Sequence, residues 1–214
     1  MRLLRAARRV ILEQGRDNPV GVRLSEVVRS EGLTTGAAYQ IWRSQEEFHA
    51  DVALHIAEEF DWAGPQAIME HLGELLDADA TIEEAVRSAG NLYIETFIRN
   101  DEYYTVLQLY AVHNPTEELL AALQRGYDVV HTGFAVLFEG VLGIYGRRIR
   151  DPFTIDDVAV IITALTEGIA LRAKVQPDVV RTDLDLAVGQ GPWHVYSATL
   201  AALTSQLTEP IPAA

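Results

Sequence analysis

Two short apolar stripes joined by a glycine turn constrain this chain more than any other feature of its sequence. They lie in residues 22–48, VRLSEVVRSEGLTTGAAYQIWRSQEEF. The first stripe has helical spacing and consists of Leu24, Val27 and Val28. Gly32 follows where the end of a helix favours a left-handed residue, and the hydroxyl of Thr34 is expected to cap a second helix. The second inward stripe consists of Ala38, Ile41 and Trp42. The pattern predicts a helix–turn–helix, which is a DNA-reading unit.

The charge of the chain is distributed unevenly. Residues 1–43 hold eight arginines and four acidic residues, a net charge of +4, and because the total is −14 the rest of the chain carries −18. A small basic segment on a strongly acidic body is typical of a DNA-binding module joined to a part that does not touch DNA. The alternative is an N-terminal helix whose arginines are only solvated.

The composition sets further limits. A chain of 214 residues that is 49% hydrophobic can bury a sizeable core. We find no run of about 18 apolar residues and no signal-like N-terminus, so we expect no membrane span and a cytoplasmic protein. The absence of cysteine excludes disulfides, thiolate catalysis and cysteine-ligated zinc.

Helical periodicity extends along the whole chain, which predicts an all-α protein of about nine helices with no strands. We expect a first helix that ends near Gly15, a second and third in the stretch above, and a fourth from Ser44 to about Asp61. Later helices are expected at 81–100, 101–113, 115–145, 154–174 and 192–207. The first helix has an apolar face of Leu3, Leu4, Ala7, Val10 and Ile11. Ser44 with Glu47 and Thr81 with Glu84 predict capping boxes, and Thr154 is expected to start the helix at 154–174. Residues 146–152 form a basic, exposed connection in this interpretation, and the C-terminus is frayed. Residues 1–45 would form a DNA-binding head, and residues 46–214 a larger body.

The N-terminal 60 residues resemble TetR-family transcriptional regulators. The matching segments are EQG (13–15), GLTTG (32–36), AAYQIW (37–42) and SQEEF (44–48). The rest of the chain resembles the family only in the layout of its helices. The resemblance implies a homodimer that binds a palindromic double-stranded operator and a body that binds a small-molecule effector. The favoured function is a one-component repressor that its effector releases from the operator, with no cofactor.

The resemblance also implies which residues contact DNA. They are Arg23, Thr34, Thr35, Ala37, Tyr39, Gln40 and Arg43. Thr35, Ala37 and Gln40 would face base edges, where glutamine can pair with adenine and alanine can touch a thymine methyl group. Tyr39 and Thr34 would contact phosphates. The alternatives are that Tyr39 packs against the first helix and that Gln40 is merely solvated.

Three positions depart from the family pattern. Arg23 stands where a serine or threonine usually caps the second helix, and Val28 replaces a usual alanine. Gln45 stands where the family commonly has a lysine, which removes one charge that could bind phosphate. The outward face of the third helix is nearly uncharged, so we expect DNA binding to depend only weakly on salt and to rely on the arginines of the first two helices.

Aromatic and histidine side chains in the body are candidates for an effector cavity. Those with suitable helical spacing are Tyr93, Phe97, Tyr127, His131 and Phe134. The last three residues share one helix face, which combines a polar group with large apolar side chains. A site for a small, lipophilic or partly aromatic molecule has this composition. Ordinary core packing is the alternative. We expect at least two of the five to line a cavity.

Two other classes of protein remain open. One is a helical ligand-binding or interaction protein that has lost DNA binding, and the other is an enzyme. No catalytic motif supports an enzyme, and the six histidines have no metal-ligand spacing. His55 and Glu59 come nearest to a metal pair, but a surface salt bridge explains them better. For the dimer, we expect residues 154–174 and the last helix, residues 192–207, to form a four-helix bundle.

Overall fold

A computed structural model describes residues 1–13, 21–62, 66–186 and 191–212, with the backbone but not the side chain of Ala37. These residues form ten α-helices and two short strands. The helices are Arg2–Glu13 (α1), Leu24–Ser30 (α2), Thr35–Tyr39 (α3), Gln45–Glu59 (α4), Gln66–Asp77 (α5), Ile82–Ile98 (α6), Asp101–Leu109 (α7), Glu117–Ile144 (α8), Ile155–Val175 (α9) and Val195–Leu207 (α10). The strands are Arg147–Ile149 (β1) and Thr208–Pro210 (β2). The expected all-α class is confirmed, with one helix more than the sequence suggested. The loop after the first helix and the last two residues lie outside the described part.

The chain divides into two compact units. The first comprises Met1–Trp62 and Asn100–Asp128, and the second comprises Ala63–Arg99 and Val129–Ala214. Helix α8 therefore contributes residues to both units. Helix α4, α7 and the start of α8 belong to the same unit as the expected DNA-binding head. The division of function at residue 45 remains a prediction.

The first unit forms around the apolar face of α1. This helix packs against α2 and α4, and α2 packs against α3. Its buried residues recur at helical spacing and are Leu3, Ala6, Ala7, Val10 and Ile11. The expected stripe of α2 is buried, as are Phe48, Val52 and Ile56 of α4. The three-helix cluster predicted from the sequence thus shares one core with the helix that follows it.

Helix α6 is central to the second unit and packs against α5, α9 and α10. The core around it contains Ile94, Val158, Ile162, Tyr196 and Leu207. Asn91 holds the start of α10 on α6, because its Oδ1 accepts hydrogen bonds from the backbone N–H of His194 at 3.0 Å and from the Ser197 hydroxyl at 2.6 Å. The two helices approach closely at Gly90, where a Cβ atom would lie 3.0 Å from the Ser197 Oγ.

Side-chain caps begin several helices where the sequence predicts them. Thr81 and Glu84 form the expected capping box at α6. Thr154 and Asp157 form another at α9. The box expected at α4 is only half formed. The Ser44 hydroxyl accepts from the backbone N–H of Glu47 at 3.2 Å, whereas the Glu47 carboxylate accepts from the N–H of Arg43.

The expectation of a chain without strands is wrong at residues 146–152. Strand β1 pairs antiparallel with β2, with Arg147 opposite Pro210 and Ile149 opposite Thr208. An ion pair of 2.5 Å between Arg148 and Glu209 joins the same two segments. No local sequence pattern predicts these strands, because they lie about 60 residues apart in the chain and each is too short to show an alternation of apolar and polar residues.

Helix α8 also departs from expectation. By length and composition alone it could cross a membrane, and little of its apolar stretch is buried within the chain. The exposed residues on one face of its second half are uncharged, and they are Val129, Gly133, Val136, Gly140 and Ile144. An apolar face of this kind is what a soluble helix shows where it meets a partner, so the composition does not by itself indicate a membrane span.

Candidate nucleic-acid interface and ligand cavity

Helices α2 and α3 form the helix–turn–helix predicted from the sequence. Gly32 adopts a positive φ of 67°, and the N–H of Leu33 donates to the carbonyl of Val28 at 3.0 Å. Glycine accepts this left-handed conformation without steric cost, which is why α2 can end there. Helix α3 begins after Thr34 as expected, but the Thr34 side chain makes no capping hydrogen bond.

The inward stripe of the third helix is only partly as predicted. Ala38 and Trp42 are buried, but Ile41 is 63% exposed. The helix ends at Tyr39, and the N–H groups of Ile41 and Trp42 both donate to the Ala38 carbonyl. This tight turn breaks the 3.6-residue period, so Ile41 leaves the stripe on which the sequence placed it. Trp42 is held in place by its Nε1, which donates to Asp51 at 2.7 Å.

The residues expected to contact DNA are exposed wherever their side chains are described. They are Arg23, Thr34, Thr35, Tyr39, Gln40 and Arg43. The side chain of Ala37 lies outside the described part of the structure. Tyr39 is 54% exposed, so the ring is not buried against α1 and its hydroxyl is accessible to a phosphate. The DNA contacts themselves remain predictions.

Gln45 has a structural role that the sequence did not reveal. Arg23 precedes α2 without a side-chain cap, as its sequence position suggested. The Gln45 Oε1 accepts from the N–H of Leu24 at 3.1 Å, and its Nε2 donates to the Val22 carbonyl at 2.8 Å. His49 lies next to both groups, with its Nε2 2.9 Å from the same carbonyl and 2.6 Å from the Gln45 amide. Gln45 therefore satisfies a backbone donor at the start of α2 and ties that helix to α4.

The basic residues of α1 are largely neutralised within the protein. Arg2 and Arg9 both pair with Glu31, at 2.7 and 2.6 Å, and Arg8 pairs with Glu102. Hydrogen bonds from Arg2, and then from Arg9, hold the pKa of Glu31 below its usual value. Arg2, Arg8 and Arg9 are therefore held in ion pairs within the protein, although Arg2 and Arg9 remain exposed. Arg5, Arg23, Arg29 and Arg43 are exposed and have no ion-pair partner among the described residues, so they are the positive charges most available to DNA.

An apolar cavity of about 120 Å³ lies in the second unit. Its walls come from α5, α6, α8, α9 and α10 and include Leu72, Tyr93, Phe134, Phe138, Ile162 and Tyr196. None of the lining residues that the structure describes is charged. A cavity of about 150 Å³ with similar walls stays dry and binds benzene, so this one suits a small hydrophobic group.

The two tyrosines of this cavity use their hydroxyl groups within the protein. The Tyr196 hydroxyl lies 3.3 Å from the hydroxyl of Thr166, which donates to the Ile162 carbonyl at 2.8 Å. The Tyr93 hydroxyl also bonds to Thr166. Burial raises the pKa of Tyr93 to about 12 and raises the pKa of Tyr196 as well. Both phenols are therefore neutral, and neither offers an ionic contact to a ligand.

The five ligand-site candidates from the sequence lie in different places. Tyr93 and Phe134 line the apolar cavity. Phe97 packs on Tyr93 with ring centroids 4.7 Å apart, but is not itself part of the lining. Tyr127 belongs to the first unit, where it stacks on Tyr110 at 5.4 Å. His131 is half-buried and does not line the cavity.

Tyr196 and most of the aliphatic wall were not among the residues predicted from the sequence. Tyr196 follows the first residue of α10, and no local pattern shows that this helix lies against α6. Phe138 could have been selected, because it follows Phe134 by one helical turn and stacks on it at 5.2 Å.

His55 differs from the expected surface salt bridge. It is only 4% exposed, and its Nε2 has no hydrogen-bond partner. Burial lowers its pKa, against the opposing effect of Glu59. Among the residues that the structure describes, no group of three or more histidine, aspartate or glutamate side chains could hold a metal ion.

The fold defined by these helices is that of TetR-type transcriptional regulators, so the resemblance seen in the sequence is confirmed at the level of the fold. A protein from Rhodococcus, provisionally described as a TetR-family transcriptional regulator, is 15% identical and matches 96% of both chains with a TM-score of 0.50.

Two further solved structures are similar along nearly the whole chain. Reduced NemR from E. coli is 18% identical over 98% of this chain and 97% of its own, with a TM-score of 0.53. A protein from Rhodococcus sp. RHA1, provisionally described as a transcriptional regulator, is 12% identical over 96% of this chain and 92% of its own, with a TM-score of 0.58. No protein-family model and no curated protein matches the sequence. Identities this low establish the fold and leave function to the residues of this chain.

Proposed function

We propose that the protein is a DNA-binding transcriptional regulator that acts as a homodimer and represses its target until a small hydrophobic effector binds. The observation that carries the proposal is the helix–turn–helix of α2 and α3. Its buried side is fixed by Ala38 and Trp42, while Thr35, Tyr39 and Gln40 remain exposed. A recognition helix in the major groove needs one side packed firmly against the protein and exposed polar groups on its opposite side.

Dimer formation follows from the geometry of operator recognition and from the exposed surface of the second unit. A helix–turn–helix dimer reads two half-sites about 34 Å or a multiple apart. Two helices expose stripes without charge at helical spacing. They are Val129, Gly133, Val136, Gly140 and Ile144 on α8, and Val160, Ala164, Gly168, Leu171 and Val175 on α9. Contact with a second copy would bury them. The large apolar side chains of α10, such as Tyr196 and Leu207, are instead packed within the chain. We therefore replace the expected α9–α10 bundle with one formed by α8 and α9 of two copies.

The apolar cavity is the proposed effector site. Its size, its neutral lining and the internally bonded hydroxyls of Tyr93 and Tyr196 favour an uncharged aromatic or short alkyl ligand. A thiol-based response is excluded because the chain has no cysteine. Binding at this site would bias one of two arrangements of the heads, as in other two-state regulators.

Selection of bound sequences from random double-stranded DNA tests the proposal. We expect a palindrome whose half-sites are about one helical turn apart or a multiple of it. Fluorescence anisotropy on the selected site should show a loss of roughly 1–3 kcal/mol for Gln40→Ala, concentrated at one base pair. Gln206→Ala, a change of the same kind at an exposed position of α10, should leave affinity unchanged. Toluene added to the protein–DNA complex should release the wild-type protein from the DNA. The Ala89→Leu variant, whose cavity is filled, should stay bound to the DNA when toluene is added.

The two rival functions give different results in these experiments. Failure to select any DNA would favour a helical ligand-binding or interaction protein, especially if toluene still binds. Chemical conversion of a bound molecule would favour an enzyme. A palindrome bound equally well with and without every hydrophobic ligand would leave the DNA-binding role intact and contradict the effector site.

A further inference from the structure

A second cavity lies wholly within the first unit and is larger than the proposed effector site. It measures about 730 Å³ and lies between the N-terminal half of α4 and the turn that joins α7 to α8. This volume falls within the range of about 300–1,000 Å³ that small-molecule sites occupy. It shares no lining residue with the apolar cavity. The residues that matter for its chemistry are Glu46 and His49 of α4, His113 and Asn114 of the turn, and the apolar Ala50 and Val112.

The lining combines apolar walls with one negative charge. Glu46 is the carboxylate among the lining residues that the structure describes, and no lysine or arginine is among them. Hydrogen bonds from its own backbone N–H, and then from the Ser44 hydroxyl, lower the pKa of Glu46. The carboxylate therefore stays ionised near neutral pH. Ala50, Ala111 and Val112 supply apolar surface beside it. A ligand matched to these walls carries a positive charge and an apolar body.

The cavity wall also takes part in the contact that holds the DNA-binding head. The Nε2 of His49 lies 2.9 Å from the Val22 carbonyl, next to the start of α2, and 2.6 Å from the Gln45 amide. In a neutral imidazole, Nε2 either donates to Val22 or accepts from Gln45, and Nδ1 takes the opposite role. A ligand N–H that donates to Nδ1 would select the form in which Nε2–H donates to Val22.

We propose that this cavity is a second ligand site, selective for protonated amines with an apolar body. Glu46 pairs with the ammonium group, Ala50, Ala111 and Val112 contact the apolar part, and His49 accepts a hydrogen bond from the ammonium group, which stays charged. Because His49 contacts both Val22 and Gln45, an amine bound here acts on the junction between α2 and α4. The site is independent of the proposed hydrophobic effector, and its occupation acts on the head within a single compact unit.

Calorimetric titration of the full-length protein, without DNA, tests this site with three probes that share one skeleton. They are 4-phenylbenzylamine, 4-phenylbenzyl alcohol and 4-phenylbenzoate. Because Glu46 is exposed, the amine should bind up to about fivefold more tightly than the alcohol, and the carboxylate should bind more weakly than either. Glu46→Gln should remove most of the preference for the amine. Glu139→Gln makes the same change in charge at an exposed position of α8 outside the cavity, and should leave the affinity unchanged.

Two cavity-filling variants keep the result independent of any one substitution. Ala50→Phe fills the cavity from α4, and Ala111→Phe fills it from the exposed turn after α7. Each should abolish amine binding while leaving the unfolding transition cooperative. Nitrogen-15 spectra of His49 should shift towards the Nε2–H form when the amine is added. Any of three results would overturn the proposal. They are equal affinity for the amine and the alcohol, no amine binding at all, and undiminished amine binding in both filled variants. DNA binding is not used as a readout, so failure of this site would leave the proposed regulator untouched.

Discussion

The side-chain Oε1 of Gln45 accepts a hydrogen bond of 3.1 Å from the backbone N–H of Leu24. This bond replaces the N-cap that Arg23 does not provide to α2. A glutamine on α4 thus completes the first helix of the DNA-binding motif, although 21 residues separate it from Leu24.

Replacement of Gln45 should destabilise the head. Gln45→Ala leaves the Leu24 N–H and the Val22 carbonyl without these partners, and should lower the free energy of unfolding by about 1–3 kcal/mol. Gln45→Lys should cost a similar amount, since lysine cannot accept from Leu24, but should strengthen DNA binding through an added positive charge. Urea denaturation measures the first effect and anisotropy the second. Gln40→Ala, at an exposed position, should change stability by less than about 0.5 kcal/mol. An equal loss in both alanine variants would contradict the capping role.

Release of the paired arginines should change the salt dependence of DNA binding. Glu31→Gln removes the carboxylate shared by Arg2 and Arg9. Each arginine that then reaches a phosphate should add about 0.9 to the magnitude of the slope of log K against log salt concentration. The wild type should show a shallow slope by comparison. Glu13→Gln removes the same charge from an exposed position of α1 and should leave the slope unchanged. If it steepens the slope equally, net charge rather than the ion pairs controls binding.

Two glycine substitutions should have opposite effects on stability. A Cβ atom at Gly126 would overlap the indole ring of Trp62, which is held by a hydrogen bond of 2.9 Å from its Nε1 to the Ala57 carbonyl. Gly126→Ala should therefore cost about 1–3 kcal/mol through overpacking. At Gly73, in the middle of α5, a Cβ atom meets nothing within 4 Å. Gly73→Ala should stabilise the protein by about 0.5–1 kcal/mol by favouring the helix. Thermal unfolding with tryptophan emission as the probe distinguishes the two.

A charge on the exposed stripe of α8 should prevent dimer formation. Val136 is 73% exposed in the isolated chain. Val136→Glu would bury an unpaired carboxylate in the proposed interface, so we expect a monomer at micromolar concentration and a large loss of affinity for the palindrome. Val179→Glu makes the same change at a position that is 64% exposed and should leave the dimer intact. Sedimentation velocity measures both. A dimer that tolerates Val136→Glu would place the interface elsewhere.

His55 should make stability depend on pH. Burial lowers its pKa from the usual 6.5, and Arg8, Arg5 and the N-terminal amine lower it further, against Glu59. The unfolded chain therefore binds a proton more readily than the folded chain, so stability is complete above about pH 6.5 and falls as the pH drops below it. Urea unfolding at pH 7.5 and 5.5 should show a smaller fall for His55→Leu than for the wild type. His194 contributes to the loss of stability that remains in this variant, because burial lowers its pKa as well. An unchanged fall would show that His55 titrates normally.

The sequence by itself determined the helical class, the helix–turn–helix and most helix starts. These features are encoded locally: apolar spacing predicted the buried stripes of α1 and α2, Gly32 predicted the end of α2, and Thr81 and Thr154 predicted caps. The likeness to TetR-type regulators rested on the same local signals. It was confirmed at the level of the fold.

Only the tertiary structure decided which side chains meet. Ile41 left its predicted stripe because the chain turns at Ala38, and Tyr196 joined Tyr93 at the cavity because α10 lies against α6. Arg8 found its partner in Glu102, which is 94 residues away. Gln45, which looked like a lost phosphate contact, is the cap of α2. Local spacing predicts which face of a helix is apolar, but the contacts that one helix makes with another depend on packing between residues far apart in the chain.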